Sequence, residues 1–315
     1  MKVIKTRKQS ISFQVFKDDK SYHLSAAVLH FFSFNRSSLL PETELWKFIT
    51  EELGKEAMID MGFPKPRGEV LVSGKCFVPD GEPVPACEVR LRFGPIDKTL
   101  YVFGDRFWQY ENPLIQSISE PLHFKEIDIS YGNAFGGLEF ENNPLGKGAA
   151  PVETDTGELI QPLPNIEMPE ALIGSPDDRP DPAGFAPIDL TWPQRMSKMG
   201  TYDDTWLKER FPGFAADMDP TCLNDAQPDQ WTDDFFKGDE PFELHNMHPE
   251  EPVLGGKLPG FRTRVFINQK TDDSESFREI GMHAETAWFF PHAKKGVLIH
   301  RGVTEINTDD AEDIL

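Results

Sequence analysis

The segment from Asp178 to Trp231 constrains the fold of this chain more than any other stretch. Large aromatic side chains stand beside Pro, Gly and Asp throughout its sequence, DRPDPAGFAPIDLTWPQRMSKMGTYDDTWLKERFPGFAADMDPTCLNDAQPDQW. It is not a flexible linker, because linkers lack aromatic residues, and Pro and Gly interrupt it too often for regular helix or sheet. Only Thr201 to Arg210 predicts regular structure, a short helix. We therefore expect a long ordered loop region held by its own aromatic side chains, and loops of this length are usually functional.

Alternating apolar residues predict strands on both sides of this segment. YHLSAAVLHFFSF carries apolar residues on both faces, which predicts a strand that is buried on both sides. CEVRLRF instead places Cys87 and Leu91 on one face and Arg90 and Arg92 on the other, which predicts a sheet with one open face. Strands are expected within residues 11–34, at 69–78, 86–93 and 97–103, and again at 262–267, 286–290 and 296–302.

Turn and helix signals add two local predictions. TLYVFGDRFWQY predicts a hairpin that turns at Gly104-Asp105. Pro41 suits the first turn of a helix, and the apolar stripe that follows extends this helix to about Lys55.

These elements predict one β-rich α+β domain over residues 1–315, an antiparallel sheet or sandwich with few short helices. Residues 11–135 form its β-rich part, residues 136–260 a long acidic, irregular insertion rich in Pro, Gly and aromatic residues, and residues 261–303 the strands that return to the sheet. The final residues, TDDAEDIL, look like the start of a helix. We therefore expect the chain to be the N-terminal part of a longer protein.

Negative charge is concentrated in the predicted insertion. The formal net charge of the chain is −21, and residues 151–260 carry −16 of it. Nucleic acid and anionic membranes are poor partners for such a surface, whereas a basic partner, a cation or simple solubility accounts for it. No stretch approaches the ~18 apolar residues of a membrane helix. The N-terminus lacks the apolar region of a signal peptide, so we expect no membrane insertion and a cytoplasmic location.

Motifs that carry chemistry are weak in this chain. Gly146-Lys147-Gly148 lacks the earlier Gly and the following Ser or Thr of a phosphate-binding loop. His245 and His248 in HNMH lack a third metal ligand at a diagnostic spacing. The sequence therefore predicts no cofactor and no metal site.

Acidic residues and cysteines are explained by structural roles. Asp203 and Asp204 stand in the first turn of a predicted helix, where carboxylates complement the helix dipole. The three cysteines have no paired spacing, so they do not predict a disulfide scaffold, and Cys76 and Cys87 are expected to pack as small hydrophobic residues. An enzyme stays open as the alternative: a hydrolase that brings two members of the set Asp203, Asp229, His245 and His248 within hydrogen-bond reach.

A series of short motifs is more informative than any one of them. In chain order these are LPETELWKFITEELG, MGFPKPRGEVLVSGK, KTLYVFGDRFW, YGNAFGG, NPLGKGAAPV, SPDDRPDPAGFAPIDLTWPQR, GTYDDTWLKERFPGFAADMDP, AQPDQW, GDEPFELHNMHPE and LPG. From about Leu40 to Asp313 the chain resembles a bacterial family, long described as a domain of unknown function, that is associated with type VI secretion as an effector adaptor or chaperone.

The resemblance implies a cytoplasmic bacterial protein without catalytic residues. Such a protein would bind an effector, often one with a PAAR-like tip domain, and help to mount it on the VgrG spike. A structural component of the spike is a third hypothesis, and it predicts a stable trimer. Because Trp, Tyr and Arg dominate interface energies, the candidate partner-binding residues are Trp192, Arg195, Tyr202, Trp206, Arg210, Phe211 and Trp231.

Overall fold

The computed structural model describes residues 9–17, 21–35, 39–53, 63–112, 115–153, 155–157, 159–211, 213–271 and 274–306. The end of the predicted helix at Lys55 and the predicted helical start at the C-terminal end lie outside these residues. Within them the chain forms several mostly antiparallel sheets with short helices. The predicted class, β-rich α+β, is confirmed.

Short strands make up most of the regular structure. In chain order they are β1 (Ser10–Lys17), β2 (Tyr22–Ser33), β3 (Gly68–Val72), β4 (Lys75–Phe77), β5 (Ala86–Phe93), β6 (Ile96–Phe103), β7 (Phe107–Asn112), β8 (Ile115–Ile118), β9 (Glu126–Asp128), β10 (Phe135–Gly136), β11 (Lys147–Gly148), β12 (Val152–Glu153), β13 (Leu159–Pro162), β14 (Ile166–Glu167), β15 (Trp231–Thr232), β16 (Pro241–His245), β17 (Val253–Lys257), β18 (Val265–Thr271), β19 (Ser274–Ile280), β20 (His283–Phe290) and β21 (Lys295–Ile306). The α-helices of the described residues are α1 (Glu42–Leu53), α2 (Pro193–Met196) and α3 (Asp204–Glu209).

The largest sheet joins strands from the two ends of the chain. Its order is β1-β2-β21-β20-β3-β15. β2 pairs antiparallel with β21 along its whole length, and β20 pairs parallel with β3. The last strands therefore return to the sheet that begins near the N-terminus.

A second sheet, in the order β14-β6-β5-β16-β17, packs against one face of the first. Val89 and Leu91 of β5 point into this interface because the side chains of a strand alternate between its faces. Phe289 of β20 meets them from the six-stranded sheet and is fully buried, which contributes about 1.5–3 kcal/mol. The outer face of β5 carries salt-bridged charges, with Arg90 joined to Asp97, as the alternation predicts.

Helix α1 covers the opposite face of the six-stranded sheet. Its apolar stripe, Leu45, Phe48 and Ile49, is buried against side chains of β2, β20 and β21. β2 is consequently buried on both faces, as its sequence predicts. This helix begins one residue after Pro41, at Glu42.

Two local predictions are wrong. The strand expected at 69–78 is divided into β3 and β4, which belong to different sheets. Residues 97–110 do not form a hairpin at Gly104-Asp105, because β6 pairs with β5 and β14, whereas β7 pairs with β8 and β13. Gly104 instead lies so close to Leu122 that a Cβ atom there would stand 1.7 Å from the Leu122 carbonyl oxygen. Gly104 is therefore required because two backbones cross closely at this point, not because the chain turns there.

Candidate partner-binding surface

A buried carboxylate of the large sheet holds the middle of the loop-rich segment. Glu69 of β3 is fully buried, and its Oε2 accepts hydrogen bonds from Asn224 Nδ2 (3.0 Å), Asp225 N (2.8 Å) and Ala226 N (3.1 Å). Lys65 donates to Glu69 and, at 2.5 Å, to Asp225 Oδ2. Charged hydrogen bonds of this kind offset the desolvation of the buried charges, so residues 224–226 are fixed against β3.

Arg195 extends this network to the next loops. Its guanidinium donates to the carbonyl oxygens of Ile188 (2.6 Å) and Cys222 (2.8 Å) and lies 2.9 Å from Asp225 Oδ1. Trp192, at the start of α2, is also buried. Its ring meets that of Tyr131 edge to face at 5.2 Å. Arg195 and Trp192 therefore join loops inside the protein.

A second buried cation anchors the following residues. Lys98 of β6 donates to Gln227 Oε1, Asp229 Oδ1 and Gln230 Oε1 at 2.8–2.9 Å. Burial lowers the pKa of Lys98, and the nearby Asp229 carboxylate opposes this shift. Gln230 in turn donates to the backbone carbonyl of Val70 in β3. The AQPDQW motif is thus tied to both main sheets.

Helix α3 begins with a side-chain cap. The carboxylate of Asp203 accepts from the backbone N–H groups of Thr205 and Trp206, both at 2.9 Å. Such a cap contributes about 1 kcal/mol. The predicted short helix is confirmed, but Asp203 is its N-cap residue and only Asp204 stands in its first turn.

Large apolar side chains on α3 and immediately before and after it form a surface that we call the aromatic platform: Tyr202, Trp206, Leu207 and Phe211. The Trp206 ring lies edge to face against Tyr202 (4.9 Å) and Phe211 (5.5 Å). Its Nε1 donates to the Gly213 carbonyl, which fixes the ring. Tyr202, Leu207 and Phe211 remain 42%, 57% and 58% exposed. The platform is therefore ordered and open to solvent.

The structure divides the seven candidate residues. Tyr202, Trp206 and Phe211 come together in the platform, and Arg210 lies beside it with its Nε donating to the Phe214 carbonyl. Trp231 is half-buried at the edge of the large sheet; its Nε1 donates to Ala226, and Lys198 lies over its ring. Trp192 and Arg195 are buried and present no surface to a partner.

The Gly-Lys-Gly motif belongs to a compact structural loop. The backbone N–H of Lys147 donates to the Ala134 carbonyl, next to the small parallel sheet of β10 and β11. This N–H therefore already has a backbone partner. Asn143 is buried inside the loop and donates to the carbonyls of Tyr131 and Phe135. Gly136 packs directly on Asn143, where a Cβ atom would stand 2.1 Å from its carbonyl oxygen. In the motif itself, a Cβ atom at Gly146 would stand 2.4 Å from Asn143 Nδ2, and Gly148 has a positive φ of 107°, so close packing and backbone conformation explain both glycines.

The residues of the hydrolase alternative each have a different partner. Asp203 caps α3, Asp229 binds Lys98, His245 contacts Glu243 at 3.3 Å, and the His248 ring accepts from the backbone of residues 250 and 251. No hydrogen bond joins two of these four residues, all of which the structure describes. The geometry that this alternative requires is not formed.

An open cleft of about 500 Å³ lies away from these residues. Its charged side chains are paired: Lys75 with Glu126 at 2.7 Å, and Lys147 with Asp105 at 3.5 Å. In the ranges that the structure describes, no three His, Cys, Asp or Glu side chains form a group that could hold a metal ion.

The sequence patterns do not predict the buried ions. Lys65, Glu69 and Lys98 stand near or within apolar strand patterns, where a charged residue ordinarily marks the solvent face. The only signal for Glu69 is its position inside GEVLV, a strand that is buried throughout. A charge within a strand buried on both faces needs a buried partner.

Comparison with known proteins places the chain in a family. The model of a family described as "Uncharacterized protein conserved in bacteria (DUF2169)" matches residues 19–301. This range runs from just before β2 into β21 and includes the aromatic platform. No curated protein and no solved structure matches the chain. Among the described residues, no helix is long and apolar enough to cross a membrane.

Proposed function

The chain belongs to this conserved bacterial family, and on that premise we propose that it is a non-catalytic adaptor, or chaperone, of type VI secretion. In this role it binds an effector in the bacterial cytoplasm, often one with a PAAR-like domain, and helps to load it onto the VgrG spike. The order of its ten motifs supports this assignment, since they resemble the adaptor family over most of the chain.

The observation that carries the proposal is the aromatic platform. The exposed Tyr202 and Phe211 flank a short capped helix and pack against the half-buried Trp206, and aromatic residues of this kind supply much of the energy of a protein interface. Large contiguous apolar surface on a protein commonly marks an interaction site. The platform therefore supports binding of another protein.

Rigidity of the surrounding segment favours the same function. The hydrogen bonds of Glu69, Arg195 and Lys98 hold the loops that follow and precede α3. A surface that is ordered before binding loses less conformational entropy on association. The buried ions are thus a means of presenting a preformed surface on irregular backbone.

The negative charge of the segment sets the kind of partner. Residues 151–260 carry a net charge of −16, and complementary charge accelerates association and discriminates between partners. The effector surface that binds here is expected to be basic.

The test is co-expression with the product of the neighbouring effector gene. We expect the two proteins to co-purify, and we expect deletion of the adaptor gene to abolish secretion of that effector while leaving the spike protein secreted. Absence of a complex together with unchanged effector secretion would refute the proposal. Light scattering separates it from the spike hypothesis, because a spike component forms a stable trimer.

A further inference from the structure

Among the residues that the structure describes, strand β1 leaves one edge of the large sheet open. It is the outermost strand, and all eight of its residues pair with β2 on one side only. In the described part of the chain, its backbone groups on the other side have no backbone partner. The strand contains no Pro, and its one charged residue is Lys17 at the end. Natural proteins usually protect an edge of this length with charges, Pro or a covering element.

Two carbonyl groups indicate which residues point to the open edge. The Val15 carbonyl accepts from the side chain of Gln14 at 3.2 Å. The Lys17 carbonyl faces the loop at Gly213, where a Cβ atom would stand 2.3 Å from it. Val15 and Lys17 are both odd-numbered residues, and the backbone groups of successive residues in an antiparallel strand alternate between its two sides. Ile11, Phe13 and Val15 therefore direct their N–H and C=O groups outward.

The open edge leads to the aromatic platform. Gly213, which lies against Lys17, accepts the hydrogen bond from the Trp206 ring. Phe214 also contacts Phe16 of β1, with ring centroids 6.1 Å apart. One bound segment is therefore able to pair with β1 and reach the platform at its Lys17 end.

We propose that the open edge of β1 binds an extended segment of a basic partner protein, which adds a strand to the sheet and places an apolar side chain on the aromatic platform. Backbone pairing at an exposed edge is a general mode of peptide recognition. Residues 151–260, which include the platform, carry a net charge of −16, and this favours a cationic partner at the platform end of the edge. This inference rests on the proposed function, which supplies the effector as that partner. β1 itself precedes the residues that the family model matches.

Amide hydrogen exchange, measured on the chain alone and in its complex with the neighbouring effector, tests this directly. The N–H groups of Ile11, Phe13 and Val15 are expected to exchange rapidly in the free chain and to become protected in the complex. Those of Ser12 and Gln14 face β2, so they are protected in both states and serve as internal controls.

Substitution of Ile11 gives a matched pair of variants. Ile11→Pro removes an outward N–H without removing a bond to β2, and we expect affinity to fall about tenfold, the effect of one hydrogen bond at an interface. Ile11→Val retains the N–H and is expected to bind like the original chain. Circular dichroism checks that both variants fold. Raising the salt concentration is expected to weaken binding, because the pairing of opposite charges is screened.

Four results would overturn the inference. If a complex forms but the odd-numbered amides stay unprotected, the segment binds elsewhere and the adaptor function still stands. If these amides are protected in the chain alone and its mass is that of a dimer, the occupant is a second copy. Binding that is insensitive to salt contradicts a basic partner. If no complex forms, the inference and the proposed function fail together.

Discussion

Glu285 of β20 and Arg301 of β21 form an ion pair in the fully buried interior, with 2.5 Å between Glu285 Oε1 and Arg301 Nε. Glu285 lies where the register of the two strands shifts, between Ala284 and Thr286. Such a bulge adds a residue to one strand and re-aims its side chain. The bulge thus directs the Glu285 carboxylate to Arg301, whereas strict alternation of side chains would not bring the two together.

Glu285→Ala is expected to destabilise the protein strongly. It leaves Arg301 buried without its carboxylate, which costs about 3–5 kcal/mol. Glu279→Ala is the matched control, because Glu279 pairs with Arg264 on the surface and exposed pairs contribute about 0–1 kcal/mol. Urea denaturation measures both free energies of unfolding. Equal losses for the two variants would contradict the role assigned to the buried pair.

Gly136→Ala is expected to lower the free energy of unfolding by about 1–3 kcal/mol, because the added methyl group collides with the backbone and side chain of Asn143. Gly174→Ala is the control, since no atom lies within 4 Å of the added carbon. Thermal melts of the two variants provide the comparison. A melting temperature that is unchanged in Gly136→Ala would show that the loop adapts.

Phe211→Ala is expected to weaken effector binding by about 2 kcal/mol, roughly thirtyfold, as for a central aromatic residue of an interface. Stability should change little, because the ring is 58% exposed. Phe277→Ala removes an equally large ring that is 69% exposed on β19, so it is expected to bind normally. Calorimetric titration with the purified effector measures both affinities. A similar loss in both variants would exclude the platform as the specific site.

Stability is expected to fall as the pH decreases from about 6.5 towards 4. Burial lowers the pKa of the His300 imidazole to about 4, beside the rings of His30 and His283. Below the usual pKa of histidine, the His300 imidazole gains a proton in the unfolded chain but not in the folded chain. The free energy of unfolding therefore falls by up to about 3 kcal/mol over this range. His300→Gln should flatten this dependence in urea titrations at several pH values. His245→Gln, near the surface, should retain it.

Local sequence patterns predict the structure correctly where neighbouring residues decide it. Alternation located the two-sided burial of β2, and Asp203 caps a helix where the sequence predicts one. The turn predicted at Gly104 is wrong, because a glycine at a close crossing and a glycine in a turn have the same local sequence. The Glu69 network is not predictable in this way, because Lys65 and Glu69 lie about 160 residues from Asp225 along the chain. Long-range pairs of buried charges leave no periodic signal.

The sequence also predicts the binding surface only in part. The sequence identified the aromatic residues as a set, but only tertiary packing separates buried Trp192 from exposed Phe211. The open edge of β1 also depends on strand order, which alternation does not determine.

The pairing of β2 with β21 has a consequence during synthesis on the ribosome. Tyr22 pairs with Ile306, so this strand emerges about 280 residues before its partner. At ordinary rates of translation the delay is on the order of tens of seconds. During that time β2 has only β1 to pair with, and such a two-stranded hairpin leaves both apolar faces of β2 uncovered. We expect ribosome-associated chaperones to hold it, and we expect any chain that ends before β21 to aggregate rather than fold.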